Sequence, residues 1–357
     1  MADEMRRTLG CAVEHGASDI FVISGQPLSM KLGGVIKPVG EEKLRPELTE
    51  RLVRELYALA ERRLDRFLET GDDDFSLSVS GLSRFRVSAY RQRNSMAAVI
   101  RVVSFGIPTP EEMGIPEAVM RVAERTKGLV LVTGPAGGGK STTLACLIDR
   151  INASRNAHII TLEDPIEYVH RNKRSVVSQR EIASDTESYL TALRASLRQA
   201  PDVILLGEMR DYETIKTAMT AAETGHLVLS TLHTLGAANT IDRIIDVFPA
   251  NQQQQIRVQL AMLLQSVISQ QLLPTVNGGR APAFEILHLN PAVRNMVREA
   301  KLHQLDTVIY ASQGEGMVTM DMSILALLRA GKITRETAVQ YALNPDQMEK
   351  KIQSGLK

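Results

Sequence analysis

Residues 3–16 space their apolar side chains at helical intervals, which predicts a short amphipathic helix. Two strand-like runs follow, Asp19–Ser24 and Leu28–Ile36, separated by a turn over Gly25 to Pro27. Charged stretches of helical period cover about 45–70, and further strands are predicted at Phe75–Val79, Arg84–Gln92 and Ala97–Val103. Helices beside an antiparallel sheet describe an α+β domain over 1–103. The period is then lost over 104–116, where Gly106, Pro108, Pro110, Gly114 and Pro116 mark a linker, and Pro116 is placed to open a helix at its first turn. From 117 onward, short apolar runs at Gly128–Thr133, His158–Leu162, Asp202–Gly207 and Leu227–Leu232 alternate with helical segments. That alternation predicts parallel strands with crossover helices. Gln252–Leu273 reads as one long helix, so this α/β domain is expected to span 117–275. A hairpin-like stretch around Asn277-Gly278-Gly279 and short helices at 291–303, 319–330 and 334–343 then form a helical C-terminal region, 276–357.

Composition narrows the classes. The chain has 357 residues, 44% hydrophobic and 23% charged, which suits an ordinary α/β protein of two domains, with room for a small third. The net charge of +1, 4% aromatic content and absence of Trp provide no basic stripe interleaved with aromatics, so stable nucleic-acid binding is not expected. No apolar run approaches the roughly 18 residues of a membrane span. No hydrophobic segment follows Met-Ala-Asp-Glu-Met-Arg-Arg, so no signal peptide is expected and a cytoplasmic location is. Cys11 and Cys146 cannot form a C-x-x-C pair, and Cys146 is read as a small core residue.

The most specific stretch is Gly134-Pro135-Ala136-Gly137-Gly138-Gly139-Lys140-Ser141, which satisfies G-x-x-x-x-G-K-[ST] between a predicted strand and a predicted helix. Backbone N–H groups of such a loop, with the helix N-terminus behind them, form a concavity suited to phosphates. In it Lys140 would reach the β- and γ-phosphates and the Ser141 hydroxyl would ligate Mg²⁺. The surrounding alternation of strands and helices therefore predicts a RecA-like nucleotide-binding sheet. A second element, Val203 to Asp211, is an apolar strand ending in acid; Gly207 occupies the usual Asp position, which leaves Glu208 for the metal–water network. Glu163, Asp164 and Glu167 follow the 158–162 strand, where carboxylates can bind Mg²⁺ through water and accept a proton. His226 and His233 flank strand 227–232; their spacing matches no zinc motif, and with Thr231 and Thr234 they are either structural or γ-phosphate sensors. Arg84, Arg86, Arg91, Arg93 and Arg101 in the N-terminal strands either form a solvated face or send one or two side chains to a phosphate across a domain or subunit boundary.

Together these segments resemble the secretion/type IV pilus ATPase superfamily, most closely its pilus retraction branch. The matching residues are Gly134–Thr142 as Walker A, Glu163–Tyr168 as the acidic box, Gly207–Asp211 as the Walker B region and Gly225–Thr234 as the His box. Ala17-Ser18-Asp19-Ile20 is similar to the family's N-terminal Ser-Asp motif, and Ala292 to Glu299 to its C-terminal A-I-R-N-L-I-R-E helix. The resemblance implies a PAS-like N-terminal domain joined to a RecA-like ATPase in a hexameric ring, hydrolysing ATP with Mg²⁺ beside an inner-membrane platform protein. It implies Glu167 as general base, Glu208 as the Walker B acid, and Arg243 with Arg86 or Arg101 at phosphate across a subunit boundary. Thr142 and His226 join the nucleotide contacts, and Glu163 and His233 the catalytic group, on the same footing. Two departures stand out: Ala136 and Gly138 replace a common Thr and Ser, and no tetracysteine motif follows the His box, which favours retraction over pilus extension or type II secretion. Within the class, an accessory retraction or an assembly ATPase is the alternative, and a nucleic-acid translocase is the alternative outside it.

In the C-terminal helix, Val293, Met296, Val297 and Ala300 follow inward spacing. Arg294 and Arg298 then share another face, read either as solvated or as an output surface.

Overall fold

The computed structural model describes residues 3–103 and 106–355. Two compact units emerge, Met1–Gly106 with Glu167–Val169, and Ile107–Ile166 with His170–Lys357.

In the first unit, helix α1 (Asp3–Glu14) precedes strands β1 (Asp19–Val22), β2 (Pro27–Leu32) and β3 (Val35–Lys43). Helices α2 (Pro46–Leu59) and α3 (Asp65–Thr70) then lead to β4 (Asp72–Val79), β5 (Ser83–Gln92) and β6 (Ser95–Val103). The six strands pair antiparallel in the order β3-β2-β1-β6-β5-β4. Burial alternates along β4 and β5, so one face of each lies in the core and the other is polar. Leu52, Val53, Leu56 and Tyr57 of α2 close over Phe75, Leu77, Phe85, Val87 and Ile100. The run Leu28–Ile36, expected as one strand, is a hairpin: Gly33 and Gly34 both take positive φ, 58° and 84°, and turn the chain between β2 and β3.

In the second unit a short helix α4 (Glu117–Met120) precedes β7 (Gly128–Thr133), α5 (Lys140–Ser154), β8 (His158–Glu163) and β9 (Val176–Glu181). There follow α6 (Tyr189–Ser196), β10 (Val203–Leu206), α7 (Tyr212–Glu223), β11 (Leu227–Leu232), α8 (Ala237–Asp246) and α9 (Ala250–Leu263). A hairpin of β12 (Leu264–Pro274) and β13 (Arg280–His288) comes next. The chain ends in α10 (Pro291–Arg298), α11 (Leu305–Ala311), α12 (Met320–Arg329), α13 (Arg335–Tyr341) and α14 (Pro345–Gly355). The seven-stranded sheet runs β13-β12-β7-β11-β10-β8-β9 and is parallel except for β13. Alternate residues of one strand feed opposite layers: Leu129 and Leu131 pack with α6–α9, whereas Val130 and Val132 pack with α4 and α5. Strands covered on both faces must be apolar throughout, and β7 and β10 are fully buried.

Three expectations are corrected by this topology, and one strand was not expected. The predicted helix Gln252–Leu273 ends at Leu263, and the rest becomes β12, paired in parallel with β7. Leu, Gln and Ser are compatible with a helix, but the open edge of β7 and the returning β13 favour extended pairing there. The hairpin therefore crosses 275/276, and no separate helical region begins at that point: α12–α14 pack on Leu273 and Ala283 of the same sheet. Edge strand β9 carried no apolar signal because it is mostly half-exposed. Of the expected linker, Ser104 and Phe105 lie outside the described residues, while Ile115 is buried in the second unit and the Cys146 thiol donates to the Pro108 carbonyl at 3.2 Å. Cys146 is a core residue, and burial pushes its thiol up to about 11.

Helix α10 also differs from its expected solvent-facing reading. Val293 and Val297 are buried and Met296 packs beside them, but Ala300 lies past the helix end with φ 58° and is exposed. Arg294 does not point outward; its Nη1 donates to the carbonyls of Ala261 and Met262, the latter at 3.1 Å, and so caps the last turn of α9. Arg298 is exposed, with Nη2 3.4 Å from the Asn295 side-chain oxygen. The two arginines therefore do different work. Arg294→Ala should lower unfolding stability by about 1–2 kcal/mol, because two charge-assisted hydrogen bonds to helix-end carbonyls are lost. Arg298→Ala should stay within about 0.5 kcal/mol of the parent. Denaturant melts of the two single variants check this, and equal stabilities would show that the α9 cap contributes nothing.

Candidate active site

The phosphate-loop sequence lies where the sheet demands a turn, between buried β7 and the N-terminus of α5. Gly134, Gly137 and Gly139 adopt φ of 137°, 73° and 88°, which L side chains avoid. Space sets a second requirement. A Cβ at Gly134 would lie 1.9 Å from the Gln270 carbonyl oxygen, and one at Gly139 would lie 2.6 Å from the Gln270 side-chain nitrogen. Gln270, buried in β12, also accepts a 2.6 Å hydrogen bond from the Thr143 hydroxyl, which ties the first turn of α5 to the strand under the loop. Gly138 N–H donates to the Pro135 carbonyl at 3.1 Å and closes the loop on itself. Pro135, Ala136, Gly137 and Ser141 face solvent, and Thr142 is half-buried. The Lys140 ammonium is buried and donates to the carbonyls of Gly134 and Pro135, both at 2.9 Å. Burial lowers its pKa from the usual lysine value, and the negative charge of Glu208 partly offsets that.

Glu208 reaches this loop because parallel register aligns strand ends. Leu206 pairs with Leu162 and Ser230, and Thr133 with Leu232, so β7, β8, β10 and β11 deliver their carboxyl ends to one edge. Ligands of open α/β sheets bind beyond that edge. The Glu208 carboxylate, largely buried, sits 2.6 Å from Arg210 and 3.4 Å from His233 Nε2. At the end of β8, the Glu163 Oε1 accepts from the Thr161 hydroxyl at 2.6 Å and from the Gln179 amide at 3.1 Å. Gly207 occupies the usual Asp position for a spatial reason. A Cβ there would stand 2.7 Å from the Tyr189 hydroxyl and 3.2 Å from the Leu162 carbonyl. Burial raises the Tyr189 pKa, and the nearby charges of Asp164, Glu208 and Glu163 add to this, so the phenol stays protonated.

A cleft of about 370 Å³ opens beside Glu208, lined also by Arg210, Thr231, His233, Thr234 and Arg243. The structure thus gathers Lys140, Glu208, Glu163, His233 and Arg243 on one unit's strand-end edge. His226 does not join them. It precedes β11, whose amino end pairs with Gly128, and its Nδ1 lies 2.9 Å from the Ala221 carbonyl and 3.1 Å from the Thr224 hydroxyl. Six strand residues separate it from His233, roughly 20 Å at strand rise. His226 is corrected from nucleotide contact to a cap of α7. Arg86, Arg101 and Glu167 belong to the first unit. There Arg86 Nη1 lies 3.4 Å from Glu167, Arg101 donates to Asp19 at 3.0 Å, and the two arginines are cross-strand partners. Sequence reasoning missed Gln270, Thr143 and Tyr189. Gln270 was hidden by the helical reading of β12, and only the Gly at the Asp position hinted at Tyr189.

Residues 2–278 match the family described as type II/IV secretion system protein. The chain belongs to that family. Across 344 residues this family member is 44% identical to the type IV pilus retractation ATPase PilT of Pseudomonas aeruginosa, covering 96% of this chain and 99% of the relative. A twitching motility protein of Neisseria gonorrhoeae is 50% identical over 276 residues, covering 77% of this chain and 74% of the relative. The crystal structure of the pilus retraction motor PilT with bound ADP superposes with a TM-score of 0.89 at 45% identity, covering 96% of this chain and 98% of that one. This type II/IV secretion system protein is a P-loop ATPase with a RecA-like core.

Within it, the Gly207–Tyr189 contact yields a direct test. Gly207→Ala should cost about 1–3 kcal/mol by overpacking against the Tyr189 hydroxyl. Removing that oxygen with Tyr189→Phe in the same chain should recover part of the loss. Thermal melts of the single and double variants measure it, and additive losses would mean the two groups do not collide.

Proposed function

We propose that this ATPase powers type IV pilus retraction, working as a homohexameric ring on the cytoplasmic side of an inner-membrane platform protein. Identity to a named retraction ATPase that persists across 96% of this chain carries the reading. The absence of a tetracysteine motif after the His box is consistent with it.

In the proposed mechanism backbone N–H groups of the phosphate loop and of the start of α5, with Lys140, hold the β- and γ-phosphates of ATP. The Ser141 hydroxyl at the start of α5 and the Glu208 carboxylate are hard oxygen donors suited to Mg²⁺, which when bound neutralises charge between the phosphates. Glu208 orients the attacking water from a fixed position, since Arg210 and His233 brace both its oxygens. Glu163 keeps the end of β8 in place through Thr161 and Gln179. His233 and Arg243 face the developing charge from the cleft. Glu167, as the acceptor of the water's proton, and its ion-pair partner Arg86, with Arg101 beside it, complete a neighbouring subunit's site.

Lys140→Ala should abolish measurable turnover with the fold intact, because its amine supplies charge and little packing. Glu208→Gln should retain ADP affinity within about threefold and lower kcat by about a hundredfold, since the amide keeps shape and loses charge. ATPase assays on the purified full chain decide both, and parental turnover in either would place the working site elsewhere. In cells, deleting the gene should leave excess pili that do not retract; bald cells would indicate an assembly ATPase instead.

A further inference from the structure

Glu285 is a buried acid outside the set described above, with 2% of its surface exposed. It lies on β13 directly opposite Ser269 of β12. Each of its oxygens serves a different helix. Oε1 accepts from the Ala237 N–H, the first residue of α8, at 2.7 Å. Oε2 accepts from the Met320 N–H, the first residue of α12, at 3.4 Å. Ser269 completes the arrangement by accepting from the Gly236 N–H at 2.9 Å. Two successive N–H groups at the entry to α8 are therefore held by a cross-strand pair in the sheet, where no solvent substitutes for them.

A carboxylate without a cation beside it is costly to bury, and two helix N-termini supply the compensating positive ends. Burial still raises the carboxyl's pKa, and Asp306 and Asp321 add to that, while the Ala237 and Met320 N–H groups oppose it. The placement bears on the cleft. α8 begins just after His233 and Thr234, and Arg243 lies six residues past Ala237, roughly 9 Å along the helix. α12 is the fixed side: Phe284 N–H donates to Ser323 at 3.0 Å, Ile286 and Val318 exchange backbone hydrogen bonds, and Met320 and Ile324 are packed against Leu273 and Ala283.

We propose that Glu285, with Ser269, is a positioning residue that sets where Arg243 stands in the cleft, using α12 as its anchor. The inference rests on the cleft's role given above. Glu285→Gln keeps the volume but has one oxygen, so its amide NH₂ must confront one of the two helix N–H donors. Ser269→Ala removes the Gly236 acceptor and leaves the buried charge in place.

The test is steady-state hydrolysis by the purified full chain with ADP binding measured in parallel. Glu285→Gln and Ser269→Ala should each lower kcat about fivefold or more, with ADP affinity held within about twofold, because the phosphate loop is untouched. In an Arg243→Ala background, Glu285→Gln should add no more than about a further twofold, since the group it positions is gone. Multiplicative losses in that double variant, or parental kcat in Glu285→Gln beside a slow Arg243→Ala, would overturn this inference alone. Parental kcat in Arg243→Ala by itself would overturn the cleft's role and this inference together. Should Glu285→Gln fail to fold by circular dichroism, Ser269→Ala is judged by the same criteria, and parental kcat there overturns the assignment.

Discussion

The carbonyl of Gln270 passes so close to Gly134 that no side chain fits between them. Much of the second unit depends on that approach. It requires β12 to lie directly beside β7, and so requires the chain to return through α9 and re-enter the sheet as a strand. With β12 in place, the Gln270 side chain reaches Thr143 and fixes the first turn of α5. The phosphate loop is then held from below by a neighbouring strand and from behind by its own helix. A loop supported on both sides presents its N–H groups without further ordering when phosphate arrives.

Charge at the strand-end edge is arranged by the same register. Glu208 is braced by a cation and a histidine, Glu163 by a hydroxyl and an amide, and Lys140 is buried near enough to Glu208 to feel its charge. Tyr189 fills the volume that an aspartate would need at 207, and the acid moves one residue on, to Glu208. The departure from the usual Asp is thus a packing consequence, and the acidic group at this edge is preserved. Glu285 extends the arrangement away from the nucleotide, since it joins the start of α8 to a helix packed on the far hairpin.

What the sequence by itself determined was local. Its G-x-x-x-x-G-K-[ST] run needed only chain-neighbour geometry to be read: positive φ at glycines, an apolar strand before, a helix after. The α+β character of the N-terminal unit and the parallel β/α core were likewise legible, because period and turn residues are properties of short windows. The acids at the ends of β8 and β10 followed from parallel strands sharing an edge.

Tertiary structure decided whatever depended on a partner distant in the chain. Leu264 to Pro274 could be helix or strand on its own residues, and pairing with β7 made it a strand. His226 and His233 look equivalent around one strand, but that strand's direction sends only His233 to the site. Arg294 looks like a surface cation at helical spacing, yet the end of α9, over 30 residues earlier, supplies carbonyls that hold it. Gln270, Tyr189 and Glu285 carried no motif because their importance lies in what they touch, 127 residues away for Gln270 with Thr143 and 48 for Glu285 with Ala237. Propensity and period act between neighbours in the chain, whereas steric exclusion and the satisfaction of buried polar groups act between neighbours in space.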